Sequence, residues 1–131
     1  DPRMPFPTDA FLAALLDTAR TREMRRKVSL VGDLLNHGVS PGATVSELGQ
    51  GVAVHRSQPF ALYCFMRHPD SFEETLFCAA LNGGDRDTLG AMACAISGAY
   101  LSCSAIPSRW REKLENGDRL EALAATLAEL A

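Results

Sequence analysis

Between Leu89 and Leu101, small residues return at every fourth place: Gly90, Cys94 and Gly98 form one row, with Ala91, Ala95 and Ala99 beside it. Residues four apart share one face of an α-helix, so a helix here presents little side-chain bulk on those rows, and neighbouring helices can approach its backbone closely. Such a helix belongs in a buried, all-helical core. The rest of the chain agrees, because apolar residues recur at helical spacing in segment after segment and no stretch alternates over a length useful to a strand. We therefore expect an all-α unit over residues 1–131, in which residues 1–7 form an extended lead-in or linker. Three prolines in those seven residues cannot sustain a helix.

Local signals divide the chain further. Thr8 is placed to cap a first helix carrying Phe11, Leu12, Leu15 and Leu16. A second, over residues 23–36, has Met24, Val28, Val31, Leu34 and Leu35 on its apolar side and Gly38 to end it. Ser40-Pro41-Gly42 reads as a turn before a short helical segment that ends at Leu48, where Gly49-Gln50-Gly51 breaks the chain. Ser57 is expected to cap a helix with Pro59 in its first turn and Leu62, Phe65 and Met66 in the core, stopped by His68-Pro69-Asp70. Ser71-Phe72-Glu73-Glu74 has capping-box spacing, so the next helix runs from Ser71 to Asn82. Pro107 opens a segment containing Trp110 and Leu114, and Asp118 caps a last helix whose apolar face is Leu120, Leu123, Leu127 and Leu130.

The chemistry is concentrated just ahead of the small-residue helix. Gly83-Gly84-Asp85-Arg86-Asp87-Thr88 puts two carboxylates and a hydroxyl within four residues, on a backbone freed by two glycines. Both aspartates can turn toward one point, where a cation would relieve their repulsion. Oxygen-only donors favour Mg2+, Mn2+ or Ca2+ over zinc or copper. The alternative is structural: Asp87 or Thr88 caps the helix and Gly83-Gly84 is an ordinary turn. Gly49-Gln50-Gly51 has the same double reading, as a loop that admits close approach of a ligand or as a tight turn between helices.

Charge and composition exclude several classes. A net charge of −3 gives no general attraction to DNA or to an anionic membrane, and no apolar run approaches the ~20 residues that span a bilayer. Residues 1–7 lack the positive start and apolar centre of a secretory leader. Cys64, Cys78, Cys94 and Cys103 lie among apolar or small residues with no Cys-x-x-Cys pair, and are expected as reduced core residues of an intracellular protein. His37, His55 and His68 are too scattered for a local metal cluster. Arg20, Arg22, Arg25, Arg26 and Lys27 form a basic cluster that is either a solvated helix face or a contact for a polyanion.

Taken as a string, residues 83–88 followed by Met92-Ala93-Cys94-Ala95-Ile96-Ser97-Gly98-Ala99-Tyr100 resemble the C-terminal signature of the ADP-ribosylglycohydrolase family. Ser46-Glu47-Leu48-Gly49-Gln50-Gly51-Val52-Ala53 and Pro59-Phe60-Ala61-Leu62-Tyr63-Cys64-Phe65 are similar to the segment preceding that signature in the animal-type branch, which degrades poly(ADP-ribose) and cleaves serine-linked ADP-ribose. Ile106-Pro107-Ser108-Arg109-Trp110 resembles the Ile-Pro-x-x-Trp that follows it. The resemblance implies an orthogonal helical bundle and metal-dependent hydrolysis of a glycosidic bond to ADP-ribose, in an ADP-ribosylated protein or poly(ADP-ribose). It implies that Asp85, Asp87 and Thr88 ligate two divalent cations, Mg2+ or Mn2+, with Asp87 bridging and both aspartates catalytic. Gly49, Gln50, Gly51, Val52 and Gly84 would line the substrate pocket.

Two residues depart from the family pattern: Arg56 stands where many members have glutamate, and Arg86 replaces the usual residue between the aspartates. The family's first metal motif, Thr-Asp-Asp, has only Thr8-Asp9-Ala10 as its nearest string. These residues are therefore expected to be the C-terminal portion of such a domain, active only with an N-terminal portion. The alternatives are a non-catalytic ADP-ribose-binding module and a helical interaction module in which the Asp motif merely caps a helix.

Overall fold

The chain is seen here as a computed structural model that describes residues 5–130. The described residues are helical, without strands: α1 (Thr8–Thr18), α2 (Arg22–Asn36), α3 (Pro41–Leu48), α4 (Val54–Arg67), α5 (Phe72–Asn82), α6 (Arg86–Leu101), a 3-10 turn (Cys103–Ala105), α7 (Ser108–Arg111) and α8 (Gly117–Glu129). The all-α expectation is met. Among these residues no helix is long and apolar enough to cross a membrane.

Helix starts follow local chemistry, though not always at the expected residue. Ser71 caps α5, its hydroxyl accepting the Glu74 N–H at 3.2 Å. Only half of the capping box forms, because the Ser71 N–H goes to the His68 carbonyl instead of the Glu74 side chain. Thr21 caps α2 through the Met24 N–H, also at 3.2 Å. Thr8 does not cap α1: it is the first helical residue after Pro7, and its hydroxyl turns back to the Phe6 carbonyl. Ser40-Pro41-Gly42 is a helix start rather than a turn, with Pro41 in the first position of α3, where its missing N–H costs nothing.

Ser57 lies inside α4, not at its cap, and its hydroxyl donates to the Ala53 carbonyl at 3.3 Å. The Arg56 N–H already bonds to Ala53 at 2.7 Å, which starts the helix earlier than Ser57. Pro59 is consequently interior, yet the carbonyl it leaves without a donor belongs to exposed His55, where water can serve it. Asp118 sits within the first turn of α8 behind Asn116, which holds the left-handed conformation at φ 58°. It is not the cap.

α4 is the centre of the core. It buries Ser57, Pro59 and the seven residues from Phe60 to Met66, and α2, α5 and α6 pack around it, with α1 on α2. Fully burying one Phe or Leu side chain contributes ~1.5–3 kcal/mol, so α4 alone anchors much of the fold. Phe6 adds to it from outside the helices. Its ring meets Phe11, Phe65 and Tyr100 edge-on, with centroids 5.2, 4.9 and 5.0 Å away. The described part of the lead-in is thus fastened to the core rather than a loose linker; residues 1–4 lie outside the described residues.

α6 is buried on one side only. Leu89, Gly90, Ala93 and Ser97 face α4 and α5, and a Cβ on Gly90 would stand 3.1 Å from Leu76 Cδ1, so the close approach is real. Ala91, Ala95 and Ala99 are exposed, contrary to the expectation of a helix buried all round. The leucines of α8 are likewise at least half exposed, and α8 buries none of its residues. Cys64 and Cys78 are buried and Cys94 is half-buried, but Cys103 is exposed and does not join the core as expected.

Candidate active site

Gly83 and Gly84 carry the chain from the end of α5 into α6. The Gly83 N–H donates to the Ala79 carbonyl at 3.1 Å, and a Cβ on this residue would stand 2.1 Å from Leu89 Cδ1. Only a residue without a side chain lets buried Leu89 fold back beneath the turn. Asp85 then occupies the cap position of α6 but makes no side-chain cap hydrogen bond, and Arg86, Asp87 and Thr88 form the first turn. The structural reading of the motif therefore fails in its stated form, since neither Asp87 nor Thr88 caps the helix.

The two carboxylates come together instead. Asp87 Oδ1 accepts the Thr88 N–H at 3.0 Å. Its carboxyl is held below the usual carboxylate range, first by a hydrogen bond with the Asp85 side chain, then by the backbone N–H groups of Thr88 and Asp87. Asp87 therefore stays ionised. The ion pairs among the described residues join Arg26 to Glu23, Arg109 to Glu73 and Arg111 to Glu121, so among those residues no cation is paired with Asp85 or Asp87. Two paired carboxyls, of which Asp85 makes no cap bond, with Thr88 next in the chain, are the kind of oxygen donors that suit a hard divalent cation. Among the described residues no third His, Cys, Asp or Glu completes a cluster, so they supply part of a coordination shell.

The second candidate segment meets the first. A Cβ on Gly84 would stand 2.9 Å from Gln50 Oε1, so the Gln50 side chain lies directly over the turn that presents Asp85. Gly49 holds φ +101°, and a Cβ on it would stand 3.1 Å from the Arg56 carbonyl oxygen. The Gly51 N–H donates to that same carbonyl at 3.2 Å, which folds the loop against the first turn of α4. Gln50 is thus brought to Gly84, the residue before Asp85, while Gly49 and Gly51 shape the loop against Arg56. Val52, the next residue of the loop, is 86% exposed.

One contributor went unread in the sequence. Lys27 is buried, and its Nζ donates to the Glu47 carbonyl at 2.5 Å, tying α2 to the end of α3 just before the loop. Read as part of a basic cluster, it looks solvated. The available signal was its place between Met24 and Val31 on the apolar side of α2. Thr8 and Asp9 instead line a cavity of about 480 Å³ with Asn36, Arg67 and His68, among none of the candidate site residues.

The chain matches the family described as ADP-ribosylglycohydrolase over residues 6–131. It is 38% identical over 117 residues to the mouse protein named ADP-ribosylhydrolase ARH3, covering 81% of this chain and 32% of that protein. The human protein of the same name is 36% identical over 117 residues, with the same coverage. An uncharacterised protein of Archaeoglobus fulgidus is 41% identical over 86 residues, covering 66% of this chain and 27% of its own. The chain spans about a third of the length of these relatives. No solved structure gives a significant match.

Proposed function

The chain belongs to the ADP-ribosylglycohydrolase family, and on that premise we propose that it supplies the Asp85–Asp87–Thr88 half of a cation-dependent site. That site hydrolyses the glycosidic bond joining ADP-ribose to a protein side chain, to poly(ADP-ribose) or to a related ester. The observation that carries this reading is the hydrogen-bonded pairing of the two carboxyls at the start of α6, next to the Gly84 turn that Gln50 covers. Two divalent cations, Mg2+ or Mn2+, held by Asp85, Asp87 and the Thr88 hydroxyl would supply Lewis-acid stabilisation of ribose hydroxyls and of the charge that develops on bond cleavage.

The chain's own residues have separable tasks. Asp87 presents a permanent carboxylate, because its hydrogen bonds favour the ionised form. Its neighbour Asp85, hydrogen-bonded to it, completes the oxygen-donor edge that would hold a cation. Gln50, flexible at its tip and placed over Gly84, offers an amide to a ribose hydroxyl.

Activity requires the remaining portion of the family domain, on the N-terminal side by the order of the motifs. Two carboxylates and a hydroxyl are too few ligands for two cations. The exposed row Ala91, Ala95 and Ala99 supports the same reading, as does an apolar groove of about 550 Å³ between Phe6, Phe65, Ile96 and Tyr100. Helices of that remainder would close over both. Its partners are then ADP-ribosylated proteins or poly(ADP-ribose), and the free cysteines suit a reducing, intracellular setting.

The test is Mn2+ calorimetry and ADP-ribose release with the chain joined to that remainder. Asp87→Asn should abolish cation binding and lower turnover by about a hundredfold or more, with the helical circular dichroism of the folded protein retained. Wild-type turnover from Asp87→Asn would overturn the reading. Tight ADP-ribose binding without turnover by the wild-type protein would point to a binding module instead.

A further inference from the structure

Arg56 lies in the loop-facing first turn of α4, and two features distinguish it from an ordinary surface arginine. Its stem and guanidinium lie along Gly51, where a Cβ would stand 3.3 Å from Nε, 3.4 Å from Cζ and 3.5 Å from Cδ. Its carbonyl accepts the Gly51 N–H, so the loop and the arginine are held to each other rather than merely adjacent. Like most arginines among the described residues it has no carboxylate partner, so its guanidinium is available to an anion.

The loop that holds Arg56 is the one that touches the acidic turn, with Gln50 over Gly84 and Asp85 next in the chain. A positive fork therefore stands on one rim of a site whose other rim carries the Asp85–Asp87 carboxyl pair. Glutamate at this position would extend the negative charge around the loop; arginine ends it there. A guanidinium is planar, permanently charged and offers paired N–H donors that match a phosphate.

We propose that Arg56 is a specificity-determining residue whose guanidinium takes a phosphate oxyanion of the substrate on the Gly49–Gly51 side of the site. This inference rests on the ADP-ribosyl reading above, and it names what that site selects. The phosphate has two sources. It belongs either to the diphosphate of the ADP-ribose unit bound at the site or to the unit beyond the scissile bond, as in a polymer.

The test uses the protein with its full family domain and three probes, adenosine, ADP-ribose and a dimer of ADP-ribose, titrated by calorimetry into the wild type, Arg56→Gln and Arg56→Lys. Melting temperatures establish that each variant is folded, which the exposure of Arg56 makes the expected outcome. With the diphosphate as target, Arg56→Gln weakens ADP-ribose by about tenfold, the size of one charge-assisted contact, and leaves adenosine unchanged. With the outer phosphate as target, only the dimer weakens. Arg56→Lys recovers part of the loss in either case, because it keeps the charge and loses the fork. Equal affinities of wild type and Arg56→Gln for both phosphate-bearing probes overturn the inference and leave the ADP-ribosyl reading intact. If the wild type binds none of the probes, that reading itself is lost.

Discussion

An alanine at residue 83 would place its Cβ 2.1 Å from Leu89 Cδ1 and 2.9 Å from the Ala79 carbonyl oxygen. Carbon atoms rest about 3.5–4.0 Å apart, so one side must retreat by roughly 1.5 Å. Neither can do so freely. Leu89 is fully buried in the core cluster, and the Ala79 carbonyl accepts the Gly83 N–H. Overpacking of this kind costs ~1–3 kcal/mol, partly offset by the ~0.4–1 kcal/mol that alanine gains by restricting the unfolded chain.

Residue 84 is the internal control. Its Cβ would meet the tip of the Gln50 side chain, 2.9 Å from Oε1, and a rotatable amide can move aside. Gly84→Ala should therefore keep stability within ~0.5 kcal/mol while displacing Gln50 from the acidic turn. Urea denaturation followed by far-UV circular dichroism measures both variants. At about 3–6 °C per kcal/mol for a chain of this size, the melting temperature of Gly83→Ala should fall by several degrees. Wild-type stability for Gly83→Ala, or equal losses for the two variants, would refute the argument that Leu89 is locked beneath the turn.

Three further outcomes follow from local chemistry. Ser71→Ala should cost ~1 kcal/mol by removing the acceptor for the Glu74 N–H, whereas Glu74→Ala should cost less because the reciprocal half of the box is not formed; urea midpoints compare them. Iodoacetamide at pH 8 should modify exposed Cys103 well before Cys94, whose thiol is pushed up to about 11 by burial, and before buried Cys64, raised by its hydrogen bond with Cys78 and by burial; mass spectrometry of the time course gives the order. Because Asp87 titrates below the usual carboxylate range, its charge is constant near neutrality, so its contribution to Mn2+ affinity should not change with pH there and should be lost only as acid brings the pH down through that lowered value; calorimetry across pH checks the sign.

Features that depend on residues within a turn of each other could be read from the chain alone. Helical spacing without strand alternation determined the class. Ser71 with Glu74 determined the start of α5, and Gly83-Gly84 ahead of two aspartates determined where hard oxygen donors concentrate. Such signals act through one hydrogen bond or one side-chain row, at separations of three or four residues, and need no other element to be in place.

The rest required the folded chain. Which side of α6 is covered depends on α4 and α5 reaching it, and periodicity alone cannot say that Ala91, Ala95 and Ala99 would stay exposed. Phe6 is tied down by Phe65 and Tyr100, far along the chain, so a proline-rich lead-in looked loose when it is not. Lys27 is buried because the Glu47 carbonyl lies within its reach, a contact across two helices. Above all, Gln50 meets Gly84 and Arg56 lies against Gly51 only once α3, α4 and α6 are packed. Composition and spacing can nominate these residues one by one, but a site is a set of distances between parts of the chain, and those distances are fixed by the packing of the whole core.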